Sequence, residues 1–288
     1  MNLLSKNDSI ALVSNSNGLD ISMVDKINEL EYILKQLNLQ PITSNSLFKD
    51  DNNNTFSAEI RAKDLMKFYN DNNIKAIFDL SGGDLCNEVL RYLDFSKIKN
   101  SNKPFFGYSD LTVILNSLFS KTNKINYNYQ LRNLIREDGE NQIKNFTNTI
   151  LLNKDNSLFD FDYKWIQGRS MEGIVVGGNI RCMLKLAGTE YLPDFENKIL
   201  FLEALSGDEN KISTFIEQYI QIGAFNNLKG LILGHFTEYE GLNSNPSIED
   251  LILGKVNNDK LPVIKTNELG HSANSKAIAI GSNMQLFS

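Results

Sequence analysis

The sequence predicts an α/β protein in two parts: a parallel sheet covered by helices over residues 1–152, a linker over 153–172, and a smaller mixed α+β domain over 173–288. Three observations predict it. Strand-like apolar runs alternate with helical periodicity through the first half. The pattern then loosens into "NKDNSLFDFDYKWIQGRSMEG", polar and aromatic with no clear period. Beyond it, short β-rich runs surround one clear helix, and 288 residues suffice for two ordinary domains.

The first strand is "IALVSNS", followed by "SMVDKINELEYILKQLNL", where Val24, Ile27, Leu30, Leu34 and Leu37 share a helical face and Ser22 with Asp25 resembles a capping box. Pro41 to Ser44 reads as extended. The polar loop "FKDDNNNTF" leads into an amphipathic helix from Ser57 to Asn70. "KAIFDLSGG" is a buried strand, "DLCNEVLRYL" a helix, "KPFFGYS" a strand and "DLTVILNSLF" a helix, with a further helical segment over Asn141–Leu152. Such alternation favours a parallel sheet buried on both faces. In the second half "EGIVVGGN", "KILFLEAL", "LKGLILGHF" and "LPVIKTNELGH" read as strands around the helix "ENKISTFIEQYIQIGAF".

Composition narrows the function. Net charge is -6 with Lys and Arg scattered, so the electrostatic footprint of nucleic-acid or membrane-surface binding is missing. No stretch approaches a membrane span, and Ser5 to Ser9 interrupt any secretory signal, so a cytoplasmic protein is expected. Two cysteines, Cys86 and Cys182, and two histidines lack metal-ligand spacing; reduced thiols and no metal are expected.

In an open parallel sheet, ligands sit beyond the carboxyl ends of strands. Ser81-Gly82-Gly83-Asp84 and Gly107-Tyr108-Ser109-Asp110 mark two such ends. Ser109, two residues after a glycine on a strand-to-helix turn, fits a nucleophile elbow, though Leu111 stands where the usual pentapeptide has a second glycine. Equally, Ser109 or Asp110 fits a plain helix cap. Gly82-Gly83 reads as a tight turn or as backbone bared toward an oxyanion. A hydroxyl nucleophile needs a base, and only His235 and His271 are offered. His235 adjoins a buried run and reads as structural; His271 precedes small polar residues compatible with an open site. Glu203 ends a strongly apolar strand, as the base's acidic partner or as an exposed charge at a strand edge.

Taken in order, "GGDLCNEVLRYLDFSKIKNSNKPFFGYSDLT", "GIVVGGNIRCMLKLAGTEYLPDFENKILFLEAL" and "LGHSANSKAIAIG" resemble the LD-carboxypeptidase family of serine peptidases, which includes murein tetrapeptide carboxypeptidases and microcin C immunity peptidases. The resemblance implies a flavodoxin-like N-terminal domain, a smaller C-terminal domain and a homodimer. It implies Ser109 as nucleophile, His271 as base, Glu203 as the orienting acid, and an oxyanion hole from the amides of Gly83 and Asp110. The substrate would be a small peptide or a peptidyl nucleotide, and the implied mechanism needs no cofactor. Ser81, Asp84-Leu85 and Asn87 around the glycine pair look closer to the microcin C immunity branch. "INYNYQLRN" lacks the Gly-Pro common in the family after the strand that follows the nucleophile helix.

Two further residues are candidates by type. Trp165, in the linker, suits stacking on a base or covering the substrate, and equally a hydrophobic anchor. Arg181 suits a terminal carboxylate. Two other readings stand beside the serine peptidase: a non-catalytic binding protein on the same scaffold, and an amidohydrolase using Cys86.

Overall fold

The computed structural model describes residues 3–242 and 245–288, and among these the strands form two six-stranded sheets. The first is built from β1 (Ser9–Val13), β2 (Gln40–Thr43), β3 (Ile74–Asp79), β4 (Phe105–Gly107) and β5 (Asn126–Asn128), connected through α1 (Val24–Gln36), α2 (Ala58–Asn70), α3 (Phe95–Asn100) and α4 (Thr112–Thr122). These five strands are parallel in the order 2-1-3-4-5. That is the flavodoxin-type winding, and its direction reverses between β1 and β3, where ligand crevices form.

Along β1 the side chains alternate into two cores. Ile10 and Leu12 join Ile27, Leu30 and Leu34 of α1, while Ala11 and Val13 face the opposite cluster with Leu65 of α2. The second cluster runs on through α4 into the other sheet. From Thr112 to Phe119 every residue of α4 is buried, as expected of a helix held between two sheets. Each fully buried leucine there, such as Leu115 or Leu118, contributes about 1.5–3 kcal/mol.

After α5 (Gly139–Phe146) the chain enters the second sheet, which comprises β6 (Lys164–Gln167), β7 (Ser170–Asn179), β8 (Lys198–Ala204), β9 (Gly230–Phe236), β10 (Val263–Lys265) and β12 (Asn283–Phe287). Its order is β12-β7-β8-β9-β10-β6. The four middle strands are parallel and both edges antiparallel. The helices α6 (Ile180–Met183), α7 (Glu209–Gln221), α8 (Thr237–Gly241) and α9 (Ile248–Val256) accompany it. The fold is therefore the two-part α/β architecture expected, with a mixed second sheet.

Several local features differ from the sequence reading. Within the stretch read as linker, β6 is an edge strand held by β10 and the first residues of β7 have already begun. From the far end of the chain, β11 (Ile278–Ile280) crosses back to pair antiparallel with β5 of the first sheet. Instead of a Ser22 capping box, Asp20 caps a 3₁₀ turn (Ile21–Met23) that leads into α1, its side chain accepting from the Ser22 amide at 3.0 Å, and α1 itself begins without a side-chain cap. The segment Cys86–Tyr92 winds as a 3₁₀ helix because its start is pinned: the Cys86 amide donates to Asp110 and the Leu85 carbonyl accepts from Arg61.

Candidate active site

Ser109 has φ +56°, the left-handed region, at the junction of β4 with a 3₁₀ turn (Ser109–Leu111) that runs into α4. A non-glycine residue there costs about 1–2 kcal/mol and persists only where packing imposes it. The packing is visible two residues either side. A Cβ on Gly107 would lie 2.7 Å from Leu111 Cβ, so glycine is required before the serine because a buried leucine follows it. Leu111 in place of the second glycine is thus part of the elbow.

The hydroxyl so presented meets an imidazole. Ser109 Oγ lies 3.0 Å from His271 Nε2, and His271 Nδ1 lies 2.6 Å from Glu203 Oε2. Because an ionised carboxylate only accepts, Nδ1 carries the proton and donates to Glu203, leaving Nε2 to accept from the Ser109 hydroxyl. Glu203, on β8, is 2% exposed, so it is no strand-edge charge. Its other oxygen accepts from Asn179 Nδ2 at 3.1 Å, at the matched register position of β7. His271 sits on the connection from β10 to β11, the segment that leaves the second sheet for the first. The Tyr108 ring packs on the imidazole at 4.8 Å, and Arg136 Nη1 donates to the His271 carbonyl at 3.0 Å.

The halves are bonded to each other at this point. Asn116 of α4 exchanges two bonds with Gly177, its Nδ2 donating at 2.8 Å and its Oδ1 accepting at 2.8 Å. The Asn179 amide donates to Thr112 Oγ1 at 2.9 Å. A Cβ on Gly178 would come within 2.5 Å of that same oxygen, and one on Gly177 within 2.1 Å of the Phe201 carbonyl, so the "GGN" motif is glycine because α4 crosses it closely at one position and β8 at the other.

Gly82-Gly83 lies across the switch point. Asn17, beyond β1, donates from its amide to the Gly82 carbonyl at 3.3 Å, and a Cβ on Gly83 would collide with the Asn17 side chain at 2.3 Å. Among the described residues neither the Gly83 nor the Asp110 amide donates to a protein acceptor. From the other half, Arg181 donates to the Asp84 carboxylate at 2.5 Å and the Gly83 carbonyl at 3.2 Å, while Lys185 holds the Asp84 carbonyl and the fully buried Asp110 carboxylate. The hydrogen bond from Arg181 draws Asp84 below the usual carboxylate range. Beneath this turn Asp79 accepts from Asn15 N and Nδ2 and from Ser81 N and Oγ, and burial pushes its carboxyl up to about 6.

Beside Ser109 and His271 opens a cavity of about 350 Å³ lined by Tyr108, Gln130, Arg132, Arg136, Lys26 and Leu205 among others. Sequence reading passed over most of these. Arg132 and Arg136 follow the short strand β5, a carboxyl-end position that the general rule for parallel sheets singles out. Of the candidates by type, Arg181 is engaged by Asp84 and Gly83, and Trp165 stands apart from the cavity. Half-buried on β6, Trp165 packs against the large core with its ring 6.1 Å from Tyr163, because pairing with β10 sets that face inward. Cys86 is fully buried, and burial together with the Asp110 charge drives its thiol well above the normal value, so no thiolate is on hand for the cysteine alternative. His235 bonds to Ser272 Oγ at 3.1 Å and Thr237 Oγ1 at 3.3 Å. Among the described residues no group of three or more His, Cys, Asp or Glu is placed to hold a metal, and no helix is long and apolar enough to cross a membrane.

A strained serine at a strand-to-helix elbow, hydrogen-bonded through histidine to a buried glutamate, defines a serine hydrolase site in a two-part α/β fold. The comparisons make the class particular. Residues 10–129 match the LD-carboxypeptidase N-terminal domain and residues 172–286 the LD-carboxypeptidase C-terminal domain. The "Probable murein peptide carboxypeptidase" of Bacillus subtilis (strain 168) is 23% identical, covering 96% of this chain and 88% of its own. A solved MccF-like protein from Bacillus anthracis str. Ames is 25% identical with a TM-score of 0.85, covering 99% of this chain and 95% of the other. MccF in complex with glutamyl sulfamoyl guanosine has a TM-score of 0.86 at 17% identity, covering 99% and 97%. The chain belongs to the LD-carboxypeptidase family and is a serine-type carboxypeptidase.

Proposed function

We propose that this protein hydrolyses an amide bond near the carboxyl end of a small peptide or peptidyl nucleotide, with Ser109 as nucleophile, His271 as general base and Glu203 as the acid that orients it. The single observation that carries the reading is the bonded series Ser109 Oγ, His271 Nε2, His271 Nδ1 and Glu203 Oε2. Ser109 Oγ attacks the carbonyl carbon as its proton passes to Nε2; the carbonyl π pair moves to oxygen, which the Gly83 and Asp110 amides receive. The intermediate collapses, the C–N bond breaks, and Nε2 returns the proton to the leaving amine. Water then attacks the acyl-enzyme, its proton passing to Nε2 and on to Ser109 Oγ as the ester bond breaks. Glu203 stays ionised throughout, holding the imidazole in orientation and offsetting the imidazolium charge.

The division at residues 153–172 belongs to the same proposal: Ser109 comes from the part before it, Glu203 and His271 from the part after. So do a cytoplasmic homodimer and a role in peptidoglycan recycling or in resistance to a microcin-type conjugate; relatives named for murein peptides and for microcin C7 immunity support the two substrate classes alike. Mass-spectrometric product analysis with a murein tetrapeptide and a processed microcin C analogue tests the reading. Release of terminal D-alanine selects the first class and loss of the modified nucleotide the second. Turnover of either that survives Ser109→Ala rejects the serine mechanism.

A further inference from the structure

A peptidase that removes a terminal residue has to recognise a free carboxylate one residue beyond the bond it breaks. The cation read from sequence for that task, Arg181, is tied to Asp84 and the Gly83 carbonyl. The cavity beside His271 contains another. Arg132 lines it, and among the described residues its side chain has no hydrogen bond or ion pair; its Nε is buried with no acceptor. Gln130, 3% exposed and lining the same cavity, accepts from the Arg132 amide through its Oε1 at 3.2 Å and so lies directly beside this arginine. An unpaired cation taken this far out of water is costly unless something else completes it. Burial lowers the pKa of Arg132, and Asp79, a carboxylate whose charge acts on it, is already engaged by Asn15 and Ser81.

Charge and position agree. In a chain of net charge -6, the cavity lining has three cations, Lys26, Arg132 and Arg136, and no carboxylate. The proton returned by His271 Nε2 goes to the leaving amine, so the departing residue lies on the imidazole side of Ser109, and this cavity is the one His271 lines. Resting on the peptidase reading above, we infer that Arg132, with Gln130 and Arg136 beside it, receives the terminal carboxylate of the departing residue. Ile135 and Leu205 supply the apolar wall for its side chain. Arg132 is thereby a specificity residue that makes the enzyme a carboxypeptidase rather than an endopeptidase.

The test compares the wild-type protein, Arg132→Gln and Arg132→Lys on two N-acetylated L,D-dipeptides that differ only in ending with a carboxylate or an amide. The wild type is expected to favour the acid by about 30-fold or more in kcat/KM. Arg132→Gln should lose about 10–100-fold on the acid, chiefly through KM, and much less on the amide, so that the ratio collapses; Arg132→Lys should restore part of it. Equal losses on both peptides, no loss on either, or a wild type indifferent to the terminus overturns the assignment. Should Arg132→Gln not fold, Arg136→Gln at an exposed position should narrow the ratio about threefold, and an unchanged ratio there overturns it. If the wild type cleaves neither peptide, the peptidase reading fails separately, and calorimetric titration with the acid decides. Binding at least tenfold weaker in the variant supports the carboxylate site, while equal affinity or no binding by the wild type overturns it.

Discussion

Asn179 Nδ2 donates to Glu203 Oε1 over 3.1 Å, while the Asn179 amide is anchored to Thr112 Oγ1 at the start of α4. Glu203 is therefore fixed from the same helix that begins just after Ser109, and the two halves of the chain share one set of constraints. On the proposed mechanism Asn179 is a positioning residue for Glu203. Its Oδ1 also caps α6 by accepting from the Cys182 amide.

Asn179→Ala should lower kcat about 10–100-fold with little change in KM, by analogy with partners that orient functional groups, and cost about 1–2 kcal/mol as a lost cap. Asn179→Asp keeps the acceptor for the Cys182 amide but sets a second carboxylate against Glu203. It should retain more of the stability than Asn179→Ala and have the lower kcat. Steady-state kinetics and urea unfolding on the pair check this, and an aspartate variant as active as wild type would contradict it.

The elbow stores strain that can be measured apart from chemistry. Ser109→Ala and Ser109→Gly both remove the hydroxyl and both should reduce turnover by three orders of magnitude or more. They should differ in stability, because alanine keeps the left-handed penalty at φ +56° and glycine does not. The glycine variant is expected to unfold about 1 kcal/mol later than the alanine variant, read from their denaturation midpoints.

Lys185 joins the second half to the buried Asp110 carboxylate just after Ser109. Lys185→Met leaves that carboxylate with no cationic partner in its place, held by the neutral donors Ser16 Oγ, the Cys86 amide and the Cys182 thiol. A loss of about 3–5 kcal/mol is expected for removing one partner of a buried pair. Adding Asp110→Asn should recover part of it, so a double-mutant cycle yields a coupling of about 1 kcal/mol or more.

Asp79 gives a pH signature. Its folded-state pKa of about 6 lies above the ordinary 3.8, so between these values the folded protein binds more protons than the unfolded chain. Stability contributed by this group is then greatest below about pH 4 and falls as pH rises to about 6, by on the order of 3 kcal/mol for a shift of about two units. Carboxylates drawn downward, such as Asp20 and Asp84, act in the opposite sense at lower pH. Comparing wild type with Asp79→Asn from pH 4 to 7 isolates the slope, which should be present in the first and missing in the second.

Much of this was readable from local pattern. The alternation of β1 through α4, the glycine before Ser109, and the oddity of a carboxylate closing the apolar strand "KILFLEAL" all follow from short-range rules about burial and backbone freedom. Trp165 and Arg181 are candidates by type alone, and a residue's type says what it is able to bind, while its neighbours decide whether that capacity is already used. Arg132 escaped notice for the complementary reason: being unpaired is a property of surroundings.

By itself, the sequence determined two α/β halves, a serine on a sharp turn, and a short list of groups able to serve it, because strand periodicity, helix periodicity and turn chemistry act over a few residues. Only the tertiary structure decided that positions 109, 203 and 271 meet, since 162 residues separate the hydroxyl from the imidazole it touches. That meeting depends on β11 crossing back to β5 and on α4 lying against "GGN", contacts whose energy comes from packing two sheets on one helix. No local segment encodes such a distance, because apolar burial is non-directional and the register of the halves is fixed only when glycines and buried polar partners admit a single fit.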